Sequence, residues 1–509
     1  MAQDQGGPMD TPPDPRRWWG LVVIGVAQLM VVLDMTIVNI ALPSAQADLG
    51  MTDGNRQWVV TAYTLAFGGL LLLGGRIADL VGRKRTFIIG LIGFAAASGL
   101  GGAAGGPGLL FAARALQGVF AALLAPSALS LLTTTFTDPK ERGKAFGVFG
   151  AIAGGGAAIG LILGGVLTSY LDWRWCLYVN IPIAAAAVAG AVVLLHDQSR
   201  HPQARLDVPG AILGSGGLLA IVYGFSEAES RGWGDARVIS LLAAGVVLLA
   251  VFAYWQTRAR VPLLPLHVVR DRQRAGAMLT MMLATIGMFG MFLFLTYYLQ
   301  RVQGYSPVRT GLSYLPMTVA MITGSTQIAA RLLGRLSPRT LLVPGMVVAA
   351  AGLLWMAQLE TRPQYLSHVL PGIILLGLGM GVVFMTSIST ATAGVAPQDA
   401  GAASASLNTA QQVGGSIGTA LLNTIAASVS ARYLLHHPGP PVKSLIDEAS
   451  VHGFNVAGYW AVGSLLLGAV VAGVVVNAPA SAVRAMGAPP GPPPVPPSRD
   501  AAESTESAR

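Results

Sequence analysis

Val31–Pro43 reads VVLDMTIVNIALP and closes an apolar run that begins near Trp18. That run is about 25 residues long, more than the roughly 20 that carry an α-helix across the hydrocarbon core of a bilayer. Asp34 stands inside it. The string SAQA, Ser44–Ala47, follows and looks like a leader cleavage site, but a leader's apolar region spans only about 7 to 15 residues and holds no acid. The run is therefore read as a membrane helix with a carboxyl group in its second half.

Blocks of the same kind recur along the chain, which is 509 residues long, 53% hydrophobic and 11% charged. The pattern predicts fourteen helices, at 18–42, 57–75, 86–104, 108–132, 145–167, 175–195, 209–226, 238–257, 275–299, 310–330, 340–359, 368–390, 402–428 and 457–477. The fold class is an all-α polytopic membrane protein with 14 transmembrane helices, and no soluble domain fits between them. Odd and even connectors differ in charge: 22 Lys and Arg fall on the side of the termini and 9 on the other, so both termini are expected in the cytoplasm. The Pro-rich segment from Gly487 has nothing to bury and is expected to be a disordered cytoplasmic tail. Arg outnumbers Lys 28 to 4, the bias of a high-GC bacterial genome, which makes the expected location a bacterial inner membrane.

Several classes of function are excluded at this level. Cys176 is the single cysteine, so there is no internal disulfide and no CxxC metal or redox motif. His436 and His437 lie in a polar, Pro-rich connector and are read as solvated, and no metal is expected. The net charge of +9 comes from membrane-flanking loops, not from a basic face with interleaved aromatics, so nucleic acid is not a partner. No GxxxxGK[ST] loop occurs, since the one Gly-Lys pair, Gly143-Lys144, is followed by Ala145; ATP is not implied. No catalytic cluster is present, and the chain is not read as an enzyme.

Charges inside a bilayer cost about 2.5 to 3.5 kcal/mol on insertion scales and mark pathways or paired groups. Two lie deep. Asp34 is about 14 Å in from Pro43, and Arg114 about 10 Å in from Pro107, at 1.5 Å per residue. Neighbouring helices would bring acid and base into contact, and a step that parts them would leave an acid that takes up a proton. A static ion pair locking two helices uses the same two residues, so both readings stand. In GGRIADLVGRKR, Gly74–Arg85, Asp79 precedes Arg83 by four residues and a cluster of Arg83, Lys84 and Arg85 follows, a pattern that alone also suits a membrane-face anchor. Gln117 and Gly118 share the face of Arg114. Gly156, Gly160 and Gly164 form a small-xxx-small stripe that lets helices approach.

Together these strings resemble the major facilitator superfamily and, within it, the 14-helix drug:proton antiporters. The loop signature G-x-x-x-D-x-x-G-R-K-R matches Gly75, Asp79, Gly82, Arg83, Lys84 and Arg85; the helix signature R-x-x-Q-G matches Arg114, Gln117 and Gly118; and L-D-x-T-I-V-N-x-A-L-P matches Leu33–Pro43. The antiporter glycine motif, ending in G-P-x-x-G-G, matches Gly147, Gly156, Gly160, Gly164 and Gly165, with Leu161 where proline is expected. WRWCLYVNIP, Trp173–Pro182, and SASLNTAQQVGGSIG, Ser404–Gly418, are further strings of the subfamily. The resemblance implies a cytoplasmic N-terminal tail at 1–17, a six-helix bundle at 18–200, two inserted helices at 201–262, a second six-helix bundle at 263–480 and a cytoplasmic tail at 481–509. In the second bundle Gly334 stands where the first has Asp79.

The resemblance also implies a function: efflux of amphiphilic drugs or antibiotics by alternating access, driven by protons, without cofactor or ATP, by a chain that functions as a monomer in the lipid bilayer. Asp34 and Arg114 would couple the proton. Gly75, Asp79, Gly82, Arg83 and Lys84 would form a conformational gate. Candidates for the drug cavity are Gln28, Met35, Asn39, Tyr297, Tyr298, Met288, Asn408, Gln411 and Gln412, since methionines, aromatics and amides adapt to varied ligands. An exporter or symporter of a different small metabolite on the same fold is the alternative.

Overall fold

The computed structural model describes residues 16–51, 58–136, 138–195, 207–259, 262–264, 266–333, 335–362, 365–396, 399–436 and 443–477. The tail from residue 481, most of 1–17, Gly334 and His437 lie outside them. The regular secondary structure of the described residues is helical, apart from one isolated bridge between Leu333 and Leu336. In chain order the helices are α1 (Arg17–Leu49), α2 (Trp58–Val81), α3 (Arg83–Gly102), α4 (Pro107–Thr135), α5 (Pro139–Tyr170), α6 (Trp175–Tyr178), α7 (Asn180–Leu194), α8 (Val208–Arg231) and α9 (Ala236–Gln256). There follow α10 (Leu266–Arg270), α11 (Arg272–Tyr297), α12 (Pro307–Ser313), α13 (Leu315–Ile322), α14 (Ala330–Leu332), α15 (Pro338–Met356), α16 (Leu370–Thr392), α17 (Ala400–His436) and α18 (Lys443–Val475). Three π-helical stretches, Tyr298–Val302, Thr323–Ala329 and Tyr365–Val369, join or extend them.

Among the described residues, twelve helices are long and apolar enough to cross a membrane. The fifth and tenth expected spans are not among the twelve. Helix α5 is continuous over 32 residues, but its first turns are polar and glycine-rich and its apolar part is Ile159–Tyr170. The tenth is divided into α12, α13, the π stretch and α14, because Pro316 has no N–H to continue the ladder past Tyr314. Several other helices, α1, α2, α17 and α18 among them, outrun the expected boundaries. The expected loop between 429 and 455 is largely taken up by extensions of α17 to His436 and of α18 back to Lys443, since its helix breakers are confined to the HHPGPP string.

Two ends of the bundle can be named from its ion pairs. At the end where α1 begins, Arg17 meets Glu141 of α5 at 2.6 Å, and Arg272 donates to the carbonyl of Val474 at 2.6 Å. This is the Arg17 face. At the other end, the Asp48 face, Asp48 binds Arg174 at 2.8 Å and accepts the indole N–H of Trp173 at 3.2 Å. Helices α2, α3 and α4 interlock, α1 lies along α5 and α7, and in the second half α11, α17 and α18 pack together beside α15 and α16. Glycine makes the closest approaches possible: a Cβ at Gly74 would stand 2.0 Å from the carbonyl oxygen of Ala122, and one at Gly118 2.4 Å from that of Tyr63. The α8–α9 hairpin leans on α2 and α17, and turns Val246, Val247, Val251 and Tyr254 outward, as a lipid-facing helix does.

That hairpin is fastened at one residue. The carboxylate of Asp207 caps α8 by accepting from the Gly210 N–H at 2.9 Å, and also accepts from Trp255 Nε1 and Gln256 Nε2 of α9 at 2.9 Å each. Burial pushes the Asp207 acid up, but these donors outweigh it and hold the group below the ordinary carboxylate value. Its contribution is therefore present above the unfolded value of about 3.9 and is lost as pH falls through the lower folded value. Asp207→Ala is expected to cost about 1–2 kcal/mol, the upper range for a lost cap, read as a lower melting temperature of the detergent-solubilised protein at pH 7.

Candidate functional site

Asp34 and Arg114 meet in the interior of the first half. Asp34 is fully buried and Arg114 is 1% exposed, and Arg114 Nη1 donates to Asp34 Oδ2 at 2.6 Å. A lone buried pair rarely recovers the desolvation of both charges, so the remaining lone pairs and N–H groups decide whether it is tolerated. Here they are met. Oδ1 of Asp34 accepts from Gln117 Nε2 and from Asn180 Nδ2, both at 2.9 Å. Arg114 also donates from Nε to the carbonyl of Val59 at 2.9 Å and from Nη1 to Gln117 Oε1 at 2.8 Å, and its guanidinium lies 4.5 Å above the ring of Tyr63. Ser98 Oγ accepts from Gln117 and Asn180 at 2.7 and 3.3 Å. One acid thus ties together α1, α3, α4 and α7, with α2 joined through Val59 and Tyr63. On its Asp48 side Arg114 borders a small apolar gap, no larger than a water molecule, lined by Val38, Leu42, Val59, Leu110 and Trp173, among others.

The glycine stripe of α5 lies against the turn of α1 that carries Asp34. A Cβ at Gly156 would stand 2.9 Å from Val32 Cγ1, one at Gly160 1.9 Å from Thr36 Oγ1 and one at Gly164 2.9 Å from Ile37 Cγ1. Gly165 is buried beside them. Gly147 belongs to a different contact, because its carbonyl accepts from Ser325 Oγ of the second half at 3.1 Å. The absent motif proline at Leu161 leaves α5 unbroken.

At the Arg17 face the two halves touch through the expected gate string. A Cβ at Gly75 would be 2.6 Å from Ala405 Cβ and 2.7 Å from the carbonyl of Gly401, so α2 meets the first turn of α17 backbone to backbone. There Asp79 Oδ1 accepts from the Gly401 N–H at 3.2 Å, with Arg83 3.6 Å away. Gly82 adopts φ 105°, a conformation that favours glycine, to turn α2 into α3. Lys84 does something else: its ammonium donates to the carbonyls of Val192 and Leu195 at 2.9 and 2.5 Å, capping the C-terminus of α7 within its own half.

The cavity candidates do not form one set. Gln411, Gln412 and Asn408 lie partly buried on α17, the helix that crosses α2, and Gln412 Cβ is 3.8 Å from where a Cβ on Gly68 of α2 would be. Gln28 and Met35 on α1 are partly buried, Asn39 is exposed and donates to the carbonyl of Met35 at 3.1 Å, and Met288 is buried in the core of the second half. Tyr297 is exposed and stands edge-on to Phe454. Tyr298 is buried and gives its hydroxyl to the carbonyls of Glu360 and Arg362 at 2.9 and 3.2 Å, so it packs a connector of the second half. Sequence reasoning missed Asn180, Ser98 and Tyr63. Asn180 was findable: it lies seven residues from Trp173, about 10 Å deep, the depth of Arg114.

The profile of the Major Facilitator Superfamily matches residues 24–419. The chain is 58% identical over 467 residues to the puromycin resistance protein of Streptomyces alboniger, covering 91% of this chain and 92% of that one. It is 39% identical over 411 residues to the cephamycin export protein of Amycolatopsis lactamdurans, covering 80% and 85%. Its fold matches the crystal structure of the human organic anion transporter MFSD10 with a TM-score of 0.58 at 14% identity, over 89% of this chain and 99% of that one.

The geometry of the pair has a direct consequence for stability. Arg114→Met leaves a buried carboxylate without its cation and is expected to destabilise the protein by about 3–5 kcal/mol, whereas the Asp34→Asn, Arg114→Met double variant should recover most of that loss. Thermal unfolding of the three proteins at pH 8 measures the difference.

Proposed function

Because the chain belongs to the Major Facilitator Superfamily, a family of multi-pass membrane transporters and not of enzymes, we propose that it exports amphiphilic antibiotics from the cytoplasm in exchange for protons, by alternating access. The observation that carries this reading is the Asp34–Arg114 pair, buried at 2.6 Å and held by amides on both sides. Such a carboxylate has two stable conditions: charged and paired, or protonated and apart from the cation. An amphiphilic drug cation that competes with Arg114 for the carboxylate, or a rearrangement within the first half that moves α1 from α4, selects between them. Asn180 and Gln117 present both N–H and C=O groups, so they can serve either protonation state.

In this reading the Arg17 face is cytoplasmic, which the excess of Lys and Arg in the connectors on the side of the termini supports. Helix α5 and the divided segment Pro307–Leu332 supply the fifth and tenth of 14 spans, in two six-helix bundles at 18–200 and 263–480 with α8 and α9 inserted between them. The drug contacts are assigned to Gln28, Met35 and Asn39 of α1 and to Asn408, Gln411 and Gln412 of α17. Asp79, with Arg83, holds the cytoplasmic side shut in the state described above. One proton crossing 100 mV yields about 2.3 kcal/mol, enough for roughly a 50-fold drug gradient, so neither ATP nor a cofactor is required, and one chain suffices. The resistance and export proteins to which the chain is similar support an antibiotic substrate, and puromycin is the first compound to test.

Everted membrane vesicles with a preformed pH gradient provide that test. Puromycin is expected to dissipate the gradient in vesicles containing the wild-type chain, and not in vesicles containing Asp34→Asn at equal abundance. Dissipation by the variant at the wild-type rate would remove Asp34 from the coupling role; none by either protein, across a panel of amphiphilic antibiotics, would contradict export by proton exchange.

A further inference from the structure

The two halves of the chain repeat a short string at the start of a long helix. Pro139-Lys140-Glu141-Arg142-Gly143 opens α5, and Pro397-Gln398-Asp399-Ala400-Gly401 stands at the start of α17. The acid does the same work in both copies. Glu141 pairs with Arg17 at the start of α1 at 2.6 Å, and Asp399 with His267, just ahead of α11, at 3.0 Å. Glu141 thus ties the start of α5 to that of α1, and Asp399 ties the residue ahead of α17 to α10, the short helix that leads into α11. The glycines correspond as well: Gly143 comes up against the carbonyl of Ala330 in the second half, where a Cβ would be 3.4 Å away, and Gly401 against that of Gly75 in the first, at 2.5 Å.

The residue between them differs. In the second half it is Ala400, and in the first it is Arg142, whose Nη2 reaches across to the other half and donates to the carbonyl oxygen and to Oγ1 of Thr392, at 2.8 and 2.9 Å. Thr392 is the last residue of α16, so its carbonyl has no partner within the helix and carries the negative end of the helix dipole. The ring of Phe146 lies 5.4 Å beneath the guanidinium and shields it. Asp79 makes the complementary contact one connector away, accepting from the N–H of Gly401 in the first turn of α17. A cation from the first half thus sits on the C-terminus of α16, and an anion from the same half on the N-terminus of α17. Both match the sign of the helix end they touch, and both grip the ends that the short connector after Thr392 joins.

We infer that Arg142 is a second latch of the closed Arg17 face, a positioning residue that with Asp79 holds the end of α16 and the start of α17 against the first half. The inference rests on the alternating-access reading. The asymmetry between the copies gives it direction: the first half contributes both charges, while Gly334 and Ala400 stand at the matching positions of the second. At these two contacts the second half therefore contributes helix ends and one hydroxyl but no charged side chain, and the latch opens by releasing hydrogen-bonding sites without stranding a charge pair.

Spin labels at Lys144→Cys and Arg335→Cys in a Cys176→Ser chain report the separation of the halves at this face by pulsed electron resonance. Arg142→Gln is expected to raise the open-to-closed ratio about tenfold, equivalent to 1.4 kcal/mol, Arg142→Lys to restore part of it, and Asp79→Asn to open the same distance. Glu141→Gln, whose partner lies in its own half, should leave the distribution as in the parent. All variants are compared at matched size-exclusion elution. Opening by Asp79→Asn with none by Arg142→Gln overturns the second latch and leaves the proposed function standing. A single unchanging distance in every variant, with and without drug and at acid and neutral pH, overturns alternating access and the latch with it.

Discussion

The first half of this protein is organised around the need to bury one carboxylate. Moving a charge into a low-dielectric interior costs several kcal/mol, and the cost is tolerable only when the counter-ion and the remaining lone pairs are in place together. Asp34 on α1 meets that need with Arg114 and Gln117 from α4 and Asn180 from α7. No two helices could supply this set. The position of α3 follows from Ser98, which receives the second N–H groups of the amides, and that of α2 from the Val59 carbonyl and the Tyr63 ring. The glycines of α5 complete the arrangement, since side chains at 156, 160 and 164 would collide with the same turns of α1. An alteration anywhere in this set is felt at the carboxylate, which is what a coupling residue requires.

The second half is built on different terms. Its described core is apolar and rich in methionine, leucine and alanine, and Gln412 of α17 lies beside α2 of the first half. Its contacts at the Arg17 face are backbone groups and small residues: the Gly401 N–H, the Thr392 carbonyl, Ala405 and Ser325. The division suits a transporter, because one half can carry the ionic chemistry while the other offers an adaptable surface that docks and undocks without exposing unpaired charge.

Much of this was legible in the sequence, for physical reasons that differ by feature. Twelve spans announced themselves because apolar length is a local property. The fifth and tenth were expected from the same pattern but are not among the twelve long apolar helices of the structure, since polar residues and glycines dilute the apolar signal in α5 and the tenth segment is divided near Tyr314. The matching depths of Asp34 and Arg114 allowed their contact, on the condition, which the structure meets, that α1 and α4 are neighbours. Asn180 and Ser98 were not singled out, because a neutral amide or hydroxyl in a span is usually satisfied by its own helix; depth alone could have flagged Asn180, but only the three-dimensional arrangement shows Ser98 accepting from the two amides that hold the acid. Lys84 illustrates the converse: a residue inside a recognisable charged string turned out to cap α7 in its own half.

The central claim is that drug and proton compete through Asp34, and proton release on drug binding measures it most directly. Purified protein in weakly buffered detergent solution near neutral pH should release protons when puromycin is added, saturating with the binding curve, and Asp34→Asn should bind the drug with little or no release. Equal release from the variant, or drug binding to the wild type with no change in pH, would contradict the account.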